Sequence, residues 1–232
     1  MKILSILAFA ALLASPSLSL ADENERTLTV RGSAVHDAAP DIVIVTVAVE
    51  TMAAGAKESA SLNASSSGDV IKAVRALMRA TDSVETSSFS VFPVYDYDKG
   101  RREVLRGFRT VNQIKLTSSV PSSAGELLDA AMGAGANRVV EVKFDVKDLT
   151  PACEGLIKTA AGRAASQAKA ASNAFGAVLG EVKSIVPSCA REMEGPVRLY
   201  AAEMKAASTP IEPGAVRLRA DVEAVYLLGK GL

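Results

Sequence analysis

The stretch "DIVIVTVAVET", residues 41–51, is apolar at both odd and even positions. A strand with one wet face alternates polar and apolar side chains, so this run belongs in the middle of a sheet or under cover on both faces. The rest of the chain has to supply that cover. "TLTVRGSA", residues 27–34, reads as a strand before it, and "HDAAPD" between them reads as a turn, with Pro40 unable to donate to a ladder. Two further strands are expected at 85–95 and 104–119, and a short one at 181–188.

Two segments alternate cleanly. Val140, Val142, Phe144 and Val146 fall on one face of a strand, with Glu141, Lys143 and Asp145 on the other. Near the end, Val216, Leu218, Ala220, Val222, Ala224 and Tyr226 alternate with Arg217, Arg219, Asp221 and Glu223. Each predicts a half-buried strand.

Three helices are expected. Residues 56–80 carry Ile71, Val74 and Met78 on one stripe, although "NASSSGD" weakens the middle. "SSAGELLDAAMGAGAN" begins with serines suited to N-capping and stops at glycines. Residues 151–175 form a long Ala-rich helix with Pro151 at its start, where a missing N–H costs little. Ala160, Ala164 and Ala168 repeat every four residues, a smooth stripe that lets a sheet or another helix come close. The expected fold class is α+β: a mainly antiparallel sheet with about three helices packed on one face.

The opening residues, "MKILSILAFAALLASPSLSLADEN", join a Lys near the start to an apolar run and small residues at Ser19 and Ala21. This pattern predicts a signal peptide over residues 1–21, cleaved after Ala21, and a domain over residues 22–232. The apolar run is shorter than the roughly 20 residues needed to span a bilayer. Removing Lys2 with the signal leaves 25 basic residues against 26 acidic ones. No run of one sign exists to bind phosphate, which argues against a nucleic-acid partner. The mature chain has no apolar stretch long and uncharged enough for an integral membrane span.

Cys153 and Cys189 are the two cysteines. In an oxidising exported compartment an even count invites a disulfide; the alternative is two separate, half-buried thiols. A bridge would close a loop of about 37 residues, worth roughly 3–4 kcal/mol by chain entropy.

The motifs of chemistry are weak. The single histidine, His36, lies in the expected turn beside Asp37, and no serine sits in G-x-S-x-G. No nucleophile is therefore paired with a base, and no catalytic residue is assigned. One His and two distant Cys give none of the short ligand spacings of a zinc site. In "DYDKGRRE", Asp96 and Asp98 offer oxygen donors, but Lys99, Arg101 and Arg102 oppose a calcium ion there. That segment reads as a wet hairpin tip whose aromatics, Phe92, Tyr95 and Tyr97 among them, cover core or a neighbouring subunit. "GAGAN", residues 133–137, runs from helix to strand, the wrong order for a phosphate loop. "NAS" at Asn63 matches a glycosylation acceptor but falls inside an expected helix. No cofactor is expected.

In order along the chain, Gly32 with "APDIVIVTVAVET", "FPVYDYD", "GFRTVNQIKL", "LLDAAMGAGANRVVEVKFDVKD", the Ala-repeat helix, "GAVLGEVKSI" and "PIEPGAVRLRADVEAVYLL" resemble the SIMPL-domain family of exported bacterial proteins. That family includes a periplasmic immunogenic protein also described as an outer-membrane antigen. The resemblance implies a periplasmic α+β protein that self-associates, with links to envelope or oxidative-stress tolerance and association with the outer membrane left open. The family has no established catalytic residues, so none is carried over.

The function expected is that of a non-enzymatic homo-oligomer, a ring or shell, with Ala160, Ala164, Ala168, Phe92, Tyr95 and Tyr97 as self-association residues. The alternative is a small-ligand or partner-binding module that uses the irregular residues 190–214 as a lid.

Overall fold

The computed structural model describes residues 25–97, 103–192 and 211–229. The expected signal, with its cleavage site after Ala21, lies outside the described residues. So do Asp98 and residues 193–210, most of the segment expected to act as a lid.

The chain is α+β with antiparallel strands, as expected, and the strands are shared between two sheets. β1 (Thr27–Ala38), β7 (Val216–Gly229) and β6 (Val178–Arg191) form a three-stranded sheet in the order β1-β7-β6. β3 (Ser83–Tyr97), β4 (Glu103–Ser118), β2 (Ile42–Ala53) and β5 (Arg138–Asp145) form a four-stranded sheet in the order β3-β4-β2-β5. Each sheet has its own helical layer. α1 (Ala56–Arg75) and α2 (Ala124–Gly133) cover the four-stranded sheet, and α3 (Thr150–Ala174) covers the three-stranded one.

β2 takes the interior place that its sequence demands. Val43, Val45, Val47 and Val49 are buried and pack with Val70 and Val74 of α1 and Leu127 of α2. Ala48, on the opposite face, is also buried. On that face Arg138 of β5, paired opposite Ala48, reaches Glu50 of β2 at 2.8 Å.

Several expectations are corrected. "HDAAPD" is not a turn throughout, because β1 runs on through His36 and Asp37 to Ala38, which pair with Leu218, Arg217 and Val216. β5 does not put Val140 in the core: a register shift opposite Thr46 and Val47 leaves it out of the ladder and exposed. Val142 and Phe144 do pack against the core. β6 is longer than expected and takes in Ala190 and Arg191.

α1 ends at Arg75 rather than near residue 80. Its buried stripe begins with Ser59, Asn63 and Ser67 before it reaches Val70 and Val74. The polar residues satisfy one another and the strands beneath. Asn63 Nδ2 donates to the carbonyls of Val49 (2.8 Å) and Thr110 (3.3 Å), and Asn63 Oδ1 accepts from Ser67 Oγ. Ser59 Oγ lies 2.8 Å from Thr110 Oγ1. Buried polar groups persist when each finds a partner, which is how "NASSSGD" stays helical.

Residues 133–137 form the expected helix stop. The N–H of Ala136 donates to Ala131, and Gly135 takes a positive φ. Asn137 then pairs by its side chain with both backbone groups of Glu50 on β2.

Asp145 ties the two sheets together. Its side chain accepts from Lys143 of its own strand and from Arg191 at the end of β6. Arg191 also donates to the carbonyl of Val146 at 2.7 Å.

Candidate functional site

The alanines expected to serve self-association are used up inside the chain. Ala160, Ala164 and Ala168 are at most 1% exposed and pack on Val30, Ala34, Ala220, Val222 and Ala224 of β1 and β7. The cause is the small-on-small match of helix and sheet, which brings α3 down onto Gly32. This stripe is therefore no surface for a second subunit.

Cys153 in the first turns of α3 and Cys189 on β6 are joined, with Sγ–Sγ 2.03 Å and Cα–Cα 5.8 Å. Cys189 pairs across the sheet with Ala220, on the face that α3 covers. The bridge fastens the outer strand of the sheet to the helix.

The hairpin of β3 and β4 is continuous up to the pair Tyr97 and Glu103. Toward its end both strands are exposed on both faces. Phe89 (55% exposed), Phe92 (40%), Tyr95 (51%), Val104 and Leu105 stand in solvent. The Tyr97 side chain lies outside the described residues.

The pairing within the arm is irregular. The β3–β4 register shifts between Val94 and Tyr95, opposite Gly107 and Leu105. Gly107 has φ +150, and a Cβ there would meet the carbonyl oxygen of Ala53 at 2.4 Å. Arg106 binds Asp96 at 2.7 Å across the arm, so that carboxylate is spent on the hairpin itself. The Arg109 guanidinium stands 6.0 Å over the Phe92 ring.

β6 is a second exposed edge, with Val182, Ile185 and Val186 each more than two-fifths exposed. The face of the three-stranded sheet away from α3 is wet and charged. Arg31 pairs with Glu223, Arg217 with Asp37, and Arg219 with Asp221, each at 2.7–2.8 Å. The Arg217 hydrogen bond holds the Asp37 carboxyl below the usual carboxylate range, and Arg219 does the same for Asp221. His36 falls on the other face of β1, the α3 side that it shares with Ala34, in open grooves beside the strand.

Among the described residues, no three His, Cys, Asp or Glu side chains converge on one point where a metal ion would sit. Nor is any helix among them long and apolar enough to cross a membrane. What the geometry offers is surface: an apolar arm, the open sheet edges of β1, β3 and β6, and a groove beside β1. Reading the sequence alone missed the edges and the groove, because both depend on which strands pair.

Residues 28–226 match the SIMPL family, described as a protein of unknown function (DUF541). The chain is 28% identical over 237 residues to the uncharacterized protein YggE of Escherichia coli K12, covering 96% of this chain and 93% of that protein. Against YggE of Edwardsiella ictaluri it is 28% identical over 241 residues, with 98% and 99% covered. Against the 26 kDa periplasmic immunogenic protein of Brucella melitensis it is 22% identical over 222 residues, with 90% and 89% covered.

Proposed function

The chain belongs to the SIMPL family, and we propose that it works as a non-enzymatic periplasmic protein that assembles with copies of itself. Its role in this reading is structural or protective in the envelope, including under oxidative stress. Location in the periplasm is supported by the signal-like opening residues and by the Brucella relative, a periplasmic immunogenic protein by name.

The observation that carries the reading is the β3–β4 arm, on which Phe89, Phe92 and Tyr95 are 40–55% exposed. Fully burying a side chain of that size is worth about 1.5–3 kcal/mol. Symmetric assembly is the usual way for a chain to hide such surfaces. The open edges of β3 and β6 add backbone donors and acceptors that a second copy can pair.

The test is the mass of residues 22–232 by light scattering after size exclusion, with and without reductant. A discrete oligomer that persists on dilution, and that Phe92→Ser with Tyr95→Ser shifts toward monomer, is the expected result. A strict monomer at micromolar concentration removes the reading.

A further inference from the structure

Among the described residues β1 is hydrogen-bonded to β7 on one side only, and its ladder has no register shift and no proline. An edge of this kind is a ready template for an added strand. The direction of its free groups follows from one contact: Arg163 Nη1 donates to the carbonyl of Ser33 at 2.6 Å. In an antiparallel pair successive residues point their backbone groups to opposite sides. Ser33 therefore points away from β7, and so do Arg31, Val35 and Asp37.

Beside this edge, between β1 and α3, lies a groove of about 370 Å³. Ala34 and His36 line it on the strand; Ala152, Gly155, Thr159 and Arg163 line it on the helix. The helical side is shallow because its residues are small. A Cβ on Gly155 would meet nothing within 4 Å. From residue 152 to residue 163 the helix rises about 17 Å at 1.5 Å per residue, the length of roughly five residues of extended chain.

Arg163 gives the groove an end and a sign. Its side chain crosses from α3 to β1, so a strand laid along the edge stops there. The ionisable side chains in the lining are His36 and Arg163, and among the described residues Arg163 has no carboxylate partner. A chain end that meets a guanidinium is a carboxylate.

We propose that β1 and α3 form a docking groove for the free carboxyl terminus of another polypeptide. That terminus adds as a short strand to β1 and sets its carboxylate against Arg163. In the unoccupied groove Arg163 holds the carbonyl of Ser33; the arriving backbone N–H replaces it there and frees the guanidinium for the carboxylate. This inference goes beyond self-assembly and does not depend on it, since the arm and the groove are on different sheets.

The test uses oxidised residues 22–232 and a displayed library of random heptapeptides with free carboxyl termini. Enriched peptides are then labelled and titrated onto the protein. Gly155→Leu places a branched side chain in the groove while improving helix propensity, and Thr159→Leu is a second block. Ala170→Leu is the control, an exposed position on α3 about two turns beyond Arg163.

The expected result is enrichment of one sequence class whose binding both blocks weaken at least about tenfold and the control leaves unchanged. Amidating the peptide terminus, or Arg163→Ala, should each cost about tenfold or more, the scale of a lost charge-assisted hydrogen bond. Failure to enrich any peptide overturns the proposal, as does binding indifferent to the blocks or to amidation. Self-association that the blocks abolish, with no peptide enriched, assigns the groove to a second copy instead.

Discussion

Gly32 on β1 and Ala160 on α3 meet backbone to backbone: a Cβ on Gly32 would lie 2.0 Å from the Ala160 carbonyl oxygen and 2.6 Å from the Ala164 nitrogen. No flexible side chain can yield there, so any larger residue must lift the helix from the sheet. Gly32→Ala is expected to cost about 3 kcal/mol, the upper end of the usual range for overpacking. The check is a lower urea midpoint at unchanged slope.

The same closeness makes the bridge from Cys153 to Cys189 a fastening at the helix's first turns. With the cysteines 36 apart in sequence, the double substitution Cys153→Ser and Cys189→Ser should cost about 3–4 kcal/mol by chain entropy. Amide exchange would locate the loss. Protection is expected to fall first along β6, which among the described residues has β7 on one side and an open edge on the other.

The buried polar stripe of α1 gives a third expectation. Asn63 is fully buried and spans Val49, Thr110 and Ser67. Asn63→Ala removes these hydrogen bonds and opens space beside Ser67, for a loss of about 2–3 kcal/mol. Asn63→Leu should fare no better, because it leaves the Ser67 hydroxyl without its acceptor and the Val49 and Thr110 carbonyls without the Asn63 donor. Thermal unfolding of both variants checks this. Burial also means that "NAS" at this position is closed to any modifying enzyme in the folded chain.

The fold was legible where the sequence carries strict periodicity. Residues 216–226 gave β7 by alternation alone, and the two-sided apolar run gave an interior β2. Partner choice was not legible. β1 pairs with β7 across nearly the whole chain, and that pairing divides the strands into two sheets and leaves β1 an open edge. Val140 is an extra residue of β5, skipped between the partners of Thr46 and Val47, and alternation along β5 could not reveal that pairing. In α1, Asn63 and Ser67 looked like a weak helix middle because hydropathy cannot see that β4 offers Thr110 and Asn112 opposite. The Ala stripe was read correctly as a close-approach surface and assigned to the wrong neighbour. Both a second subunit and the chain's own sheet satisfy a run of alanines.

The last expectation concerns acid. Asp145 is nearly buried where the two sheets meet. Burial alone would raise its carboxyl; the hydrogen bonds from Lys143, the Val146 N–H and Arg191 outweigh it and hold it below the usual carboxylate value. A group depressed on folding adds stability that is complete above its unfolded pKa, about 3.9, and is lost as pH falls through the lower folded value. Asp145→Asn removes the charge at every pH and leaves Lys143 and Arg191 unmatched, a cost of about 2 kcal/mol at neutral pH. Denaturant midpoints taken from pH 7 down to 2.5 should therefore start lower in the variant and fall less steeply below pH 4. Parallel curves for the two proteins would place the acid sensitivity elsewhere, with Asp82 next in line. Its carboxylate accepts from the N–H groups of Arg79 and Ser119 and from the Ser118 and Ser119 hydroxyls, and it too is held low against the pull of burial.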